Sequence, residues 1–444
     1  MKKLIAALCF FGFVPLFSVS QPCKESFLGS KTLYKSQQQQ YVAPPEGYLP
    51  VFINHVGRHG ARYLTKDVNT TYIYQMLLQV DSLNGLNEAG KLLKEKILLL
   101  EKIEKKNIKS ISYSGKAEQA GLADRMFANN SNVFTVKKPV LHISYTKEIR
   151  TLQSCDAFLA ELDTKINEPV IIKQLNDTTL RFYDMSPSYN DYKDKGNWHH
   201  YLQQLKESIK YNELTSQVVQ QFFTRSYFKY LTEKDINRFI SDLFGFVIIF
   251  YSIAQEIKDA RYQISDVDME SFFTCTQLST LAKIDNAEDY FLKGPGADIN
   301  GIQVKIAMPL LADFIKTTDA YIKTKKVNVQ LRFSHAETIS PIAALMGLSS
   351  ETTKQVNDIN RVWNADKVIP LSSNIQWILY QKPGSENYLI KFLLNEKEVP
   401  VKGLTTKTFP YYNWNAVRGF YIKKLNSFNT NLNNDFVQFL KEIK

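Results

Sequence analysis

Three times along this 444-residue chain, an apolar stretch of strand length runs into a short polar turn and then into a helical pattern. Val51 to Val56 ends at Gly57-Arg58-His59-Gly60. Val140 to Ser144 leads into a helix with Ile149, Leu152, Phe158 and Leu162 on one side. Val327 to Phe333, apolar at alternate positions, is followed by Ser334-His335-Ala336-Glu337 and the helical pattern Ile342 to Leu348. Strands alternating with helices over a long chain specify an α/β fold: a mostly parallel sheet core flanked by helices. Such sheets place their chemistry just beyond the carboxyl ends of the strands. The three turns are therefore expected to share one crevice.

Between about 161 and 296 the strand signal fades. Val218, Phe222, Phe223, Phe239, Leu243 and Phe250 recur at helical spacing. This predicts a mainly helical domain (161–296) inserted between a first core segment (21–160) and a second (297–444). In the second segment, Ile375 to Tyr380 and Tyr388 to Leu394 flank Lys382-Pro383-Gly384-Ser385 as a β-hairpin, and a helix starts near Asp435. The Lys/Glu-rich stretch Gly90 to Lys109 reads as a helix with Leu92, Leu93, Ile97 and Leu100 inward and its lysines in water. The glutamine run Gln37 to Gln40 reads as part of a polar surface strap. With 44% hydrophobic and 22% charged residues, the chain is neither disordered nor fibrous.

The first twenty residues stand outside this plan. Lys2 and Lys3 precede a largely apolar run, and Ser18-Val19-Ser20 has the form of a cleavage site, so residues 1–20 are expected to be an export signal. Phe244 to Ala254 is too short to span a bilayer and is expected to be a buried helix. A periplasmic, cell-surface or secreted protein is the expectation. Cys9 would leave with the leader, and Cys23, Cys155 and Cys275 can form at most one disulfide, whose pairing the sequence does not give. The net charge of +11 points to an anionic partner without choosing one.

Arg58-His59-Gly60-Ala61-Arg62 narrows the choice. A guanidinium grips phosphate oxygens with a planar fork. Gly60 lets backbone approach a bound anion, and a histidine between two such clamps can attack phosphorus. Any one of these residues alone would read as surface decoration. His55, His142, His199 and His200 are read as structural or exposed, with His55 a candidate for the pocket wall. No metal-ligand spacing appears, so no metal or cofactor is expected.

The Arg-His-Gly-x-Arg block after a strand resembles the signature of the histidine phosphatase superfamily, in its acid phosphatase and phytase branch. The late His335-Ala336-Glu337 is similar to the form found in multiple inositol polyphosphate phosphatases, as are Gly115 to Met126, Glu148 to Phe158 and Lys293 to Asn300. The resemblance implies a phosphohistidine on His59. It implies that Arg58, Arg62, Arg150 and His335 hold the phosphate and that Glu337 protonates the leaving oxygen. The family's frequent proline after the second arginine is missing, since Tyr63 is followed by Leu64.

The implied activity is hydrolysis of inositol polyphosphates, a small anionic substrate. Arg181, where the helical insert begins, is the candidate for holding a non-reacting phosphate. The alternatives are a broad acid or sugar-phosphate phosphatase, or a phosphate-binding protein without catalysis. No nucleic-acid module is visible, and neither stable membrane insertion nor an obligate protein partner is expected.

Overall fold

The computed structural model describes Cys23, residues 27–36 and residues 40–444, so the expected leader and most of the glutamine run lie outside the described residues. Leu49–Arg58 (β1), Val140–Tyr145 (β2), Val170–Leu175 (β3), Val329–Ser334 (β4), Asn374–Gln381 (β5), Tyr388–Leu394 (β6), Lys397–Glu398 (β7) and Tyr411–Asn413 (β8) form one sheet. Its order is β3-β2-β4-β1-β5-β6-β7, with β8 against β6. β3, β2, β4 and β1 are parallel. The expected hairpin, β5 and β6, adds the antiparallel half beside β1.

Helices Glu88–Glu104 (α1), Tyr113–Asn129 (α2), Ile149–Asp163 (α3), Glu233–Phe250 (α4), Cys275–Lys293 (α5), Met308–Thr324 (α6) and Ala336–Met346 (α7) frame the site. β1 alternates its faces. Ile53 packs with Leu122 and Met126 of α2 and Phe158 of α3. Phe52 and Val56 pack with Leu310 and Phe314 of α6 and Ile339 and Ile342 of α7. β4 is buried on both faces, so its alternation does not send polar residues to water as a half-buried strand would. Arg332 is satisfied internally, donating to Asp313 Oδ2 (2.8 Å) and Asn54 Oδ1 (2.5 Å).

A second core fills the helical lobe, with Val218, Phe222, Phe239 and Leu243 among its residues. Leu93, Ile97 and Leu100 of α1 belong to the same core, although α1 precedes the expected insert. Leu92, expected inward, is 46% exposed, because the stripe Leu93–Ile97–Leu100 leaves it on the flank. Lys96 is not on a solvated face either: it is buried and its ammonium donates to the Ser265 carbonyl. The expected limit at 160 falls inside α3, and β3 is a strand within the stretch expected to be mainly helical. The run Glu233–Asp259 is long and apolar enough by composition to cross a membrane, yet Ile236, Phe239, Leu243 and Val247 lie in the lobe's core.

Cys23 is bonded to Cys275 at the start of α5, and Cys155 is free and buried in α3. The bridge ties the N-terminal segment to α5, and the turn Gly29–Lys31 then runs alongside the carboxyl end of β1.

Candidate active site

Strand register brings the two motifs together. Gly57 and Tyr145 both pair with Phe333, so β1, β4 and β2 end level with one another. The ladder continues one step, with His59 N donating to Ser334 O (3.0 Å). His59 and His335 therefore emerge side by side, ring centroids 5.6 Å apart and planes at 65°. α7 starts at Ala336, which puts its N-terminus and Glu337 at the same rim. A helix N-terminus favours anions there.

The loop after His59 is held by backbone contacts. Gly60 N donates to Ser154 Oγ (3.0 Å), and Ala61 N donates to Glu118 Oε2 (2.8 Å). The sequence reading gave Gly60 to a bound anion. Instead, a Cβ on Gly60 would stand 2.5 Å from Gly115 O, and one on Gly115 would stand 2.0 Å from Ala61 O. The two glycines allow α2 to lie directly against the loop. Gly115→Ala should therefore cost ~2 kcal/mol or more, as overpacking does. A lowered melting temperature together with lost activity is expected. An unchanged melting temperature would mean that the two backbones separate easily.

His59 is buried, and its Nδ1 lies 2.9 Å from Gly60 O. A carbonyl only accepts, so Nδ1 carries the proton and the lone pair resides on Nε2. Burial, followed by Arg58, Arg150, His335 and Arg62, holds the imidazole well below its ordinary pKa. The ring is neutral.

Arg58 donates through Nη1 to Ser30 O and Ile369 O, both at 2.5 Å, which fixes its orientation. Arg62 donates to Tyr63 O (2.7 Å), and burial with the neighbouring arginines lowers it to about 9. Arg150 donates to Glu148 Oε2 (2.8 Å) and to His335 Nδ1 (3.3 Å). The buried Nε atoms of Arg58, Arg62 and Arg150 have no hydrogen-bond partner among the described residues. Buried, unpaired donors are costly and invite an acceptor.

His335 is lowered to about 3 by burial and then Arg150. Because Arg150 only donates, His335 Nδ1 accepts and Nε2 donates to Thr146 Oγ1 (2.9 Å). Both nitrogens are engaged, so donating to a phosphate would require His335 to take up a proton or leave Thr146.

Glu337 is paired with Lys293 at the end of α5 (Oε1 to Nζ, 3.0 Å), and Lys293 is paired in turn with Asp289 (2.9 Å). Burial works to raise the Glu337 carboxyl, but Lys293 and His335 outweigh it and hold the group below the usual carboxylate range. Arg181 is also paired: Nη1 to Glu148 Oε1 (2.8 Å) and Nε to Asp184 Oδ2 (2.7 Å). Glu148 thus bridges Arg181 and Arg150.

His55 does not line the crevice. It is buried beneath Gly57 among Phe158 and Phe333, and burial lowers it to about 3. Sequence reasoning missed Lys293, Glu118, Thr146 and Lys31. Burial, with Arg58 and Arg62 next, lowers Lys31 to about 7, which puts it in the same field of cations.

The family profile described as "Histidine phosphatase superfamily (branch 2)" matches residues 51–395. Multiple inositol polyphosphate phosphatase 1 from Gallus gallus is 23% identical over 299 residues, covering 64% of this chain and 63% of that protein. Its Homo sapiens counterpart is 25% identical over 192 residues, covering 40% and 38%. The chain thus spans less than two thirds of the length of the curated relatives it matches. Among solved structures, Bifidobacterium longum multiple inositol polyphosphate phosphatase in complex with inositol hexasulfate superposes with a TM-score of 0.78 at 20% identity, covering 92% of this chain and 99% of that one. The phytase from D. castellii gives 0.63 at 13% identity, covering 90% and 85%. These likenesses establish the fold.

Proposed function

The chain belongs to branch 2 of the histidine phosphatase superfamily, and from that premise we propose that it is a phosphomonoesterase acting on inositol polyphosphates. One observation carries the reading: three arginines whose buried Nε atoms have no hydrogen-bond partner among the described residues surround a neutral histidine whose Nε2 carries the lone pair. Arg58, Arg62 and Arg150 hold the phosphoryl oxygens, where charge spreads in the loose transition state. His59 Nε2 attacks phosphorus as the ester P–O bond breaks, giving phosphohistidine and a leaving oxygen. Glu337 gives that oxygen its proton. Water then attacks the phosphohistidine, releasing phosphate and restoring His59. His335 joins the clamp by taking up a proton as the phosphate's charge arrives. Because burial and three arginines depress His59, the nucleophile stays unprotonated well below pH 6.5, and turnover should persist into acid.

The polyphosphate preference is supported by cations beyond the clamp. Lys31, Lys293 and Arg181 lie around the crevice, and Arg181 is assigned to a non-reacting phosphate. The alternative is a broad acid phosphatase with the same chemistry. Phosphate release should be compared on inositol hexakisphosphate, β-glycerophosphate and p-nitrophenyl phosphate, with the inositol products resolved by ion exchange. A kcat/KM at least ~10-fold higher on the hexakisphosphate than on β-glycerophosphate is expected, and equal values would favour the broad enzyme. Arg181→Ala should reduce turnover of the hexakisphosphate more than that of the aryl ester, since only the former has distal charges. Equal losses would make Arg181 a support for Glu148 and Arg150.

Export is part of the same proposal. The leader-like first twenty residues and the Cys23–Cys275 disulfide both fit an oxidising compartment.

A further inference from the structure

A general acid must hold a proton, yet Glu337 is ion-paired with Lys293 and ionised. The pair is a built feature. Lys293 occupies the last turn of α5 with its side chain only 11% exposed, and it lies between Asp289 Oδ1 (2.9 Å) and Glu337 Oε1 (3.0 Å). Asp289, one turn back, keeps the ammonium charged and aimed. We propose that Lys293 is a positioning residue for Glu337: it fixes Oε1 in the empty site and turns to the substrate's phosphate on binding, so that Glu337 takes up its proton only when an ester is in place. This rests on the phosphomonoesterase reading and adds how the acid is loaded.

The other cations that face Glu337 act in the same direction. From β1 and its loop, Arg58 and Arg62 interact with it, and His335 lies in its own turn. From the segment after β3, Tyr183 and Tyr189 are neutral neighbours. Before substrate arrives, cations outnumber Asp289 around the carboxylate. A bound phosphate adds negative charge beside it and gives the arginines and Lys293 another partner. Both changes favour the protonated carboxyl. The proton comes from solvent or from the substrate monoanion, and it departs on the leaving oxygen.

The test uses β-glycerophosphate, whose alkoxide needs an acid, and p-nitrophenyl phosphate, whose phenolate does not. Lys293→Met removes the charge but keeps the length. The alkaline limb of kcat/KM for the glycerol ester, which reports the free enzyme, should move up by roughly one pH unit or more, the worth of a close opposite charge. Lys293→Arg should leave the limb in place and, by circular dichroism and melting, report on the fold. In a Glu337→Gln background, Lys293→Met should shift nothing. A rate loss at all pH values with an unmoved limb would reduce Lys293 to a structural pair and overturn the proposal. So would an equal shift on the nitrophenyl ester, which would place its effect on His59 or His335. A wild-type enzyme that cleaves both simple esters but not inositol hexakisphosphate would defeat the polyphosphate reading while leaving this test intact.

Discussion

His59→Ala should lower turnover on every ester by ~10⁴-fold or more, the scale on which a covalent nucleophile is lost. No neighbour can replace it. The nearest ring, His335, has Nδ1 on Arg150 and Nε2 on Thr146, so neither nitrogen has a free lone pair aimed at phosphorus. The fold should survive. The loop is held by Ser154 and Glu118 through backbone amides, and the histidine side chain adds its bond to the adjacent Gly60 carbonyl and its ring contact with His335. Inhibition by inorganic phosphate should also survive, because the arginine clamp is untouched. Labelled ester mixed with wild-type enzyme and quenched in base should leave phosphate on His59, since phosphohistidine resists base and hydrolyses in acid. Label on a different residue, or an alanine variant within tenfold of wild type, would remove His59 as the nucleophile.

The fold and the convergence of the candidate site residues were readable for one reason: their information is local. Arg58, His59 and Arg62 lie within five residues, and a strand ending at such a block declares both its place in an α/β sheet and its chemistry. His335 and Glu337 carry the same kind of signal at the start of α7. What could not be read depends on distant contacts. Lys293 looks like a basic residue in the last turn of α5, as the helix dipole favours, and only folding brings it to Glu337 across 44 positions. Glu118 is a single carboxylate in a polar stretch, yet it accepts from Ala61, Tyr34 and Ser372. The Cys23–Cys275 pairing spans 252 residues. Gly60 was assigned to the ligand because its partner, Gly115, belongs to another element. β4 shows a further limit of local pattern. Alternation usually marks a half-buried strand, but here Asn54 and Asp313 satisfy Arg332 from inside, so both faces are covered.

Glu337→Gln should separate esters by their leaving groups. Glutamine keeps the size, and its amide oxygen can still accept from Lys293, so the site should retain its shape. What is lost is the transferable proton. An inositol or glycerol alkoxide leaves badly without it, so the phosphorylation step on these esters should slow by ~10²–10⁴-fold, the usual worth of a general acid. A nitrophenolate leaves unaided, and p-nitrophenyl phosphate should be far less affected in the same step. Steady-state rates alone would blur this, because the conjugate base of an acid used in the first step can also assist the water in the second. Burst kinetics separate the two steps: a slowed burst on the alkyl esters with a nearly normal burst on the aryl ester is the expected pattern. If both bursts fall equally, Glu337 organises the site through Lys293 and Asp289 and is not the acid. The proton would then have to come from another group at the rim or from the substrate's own phosphates, and His335-Ala336-Glu337 would be a structural motif here.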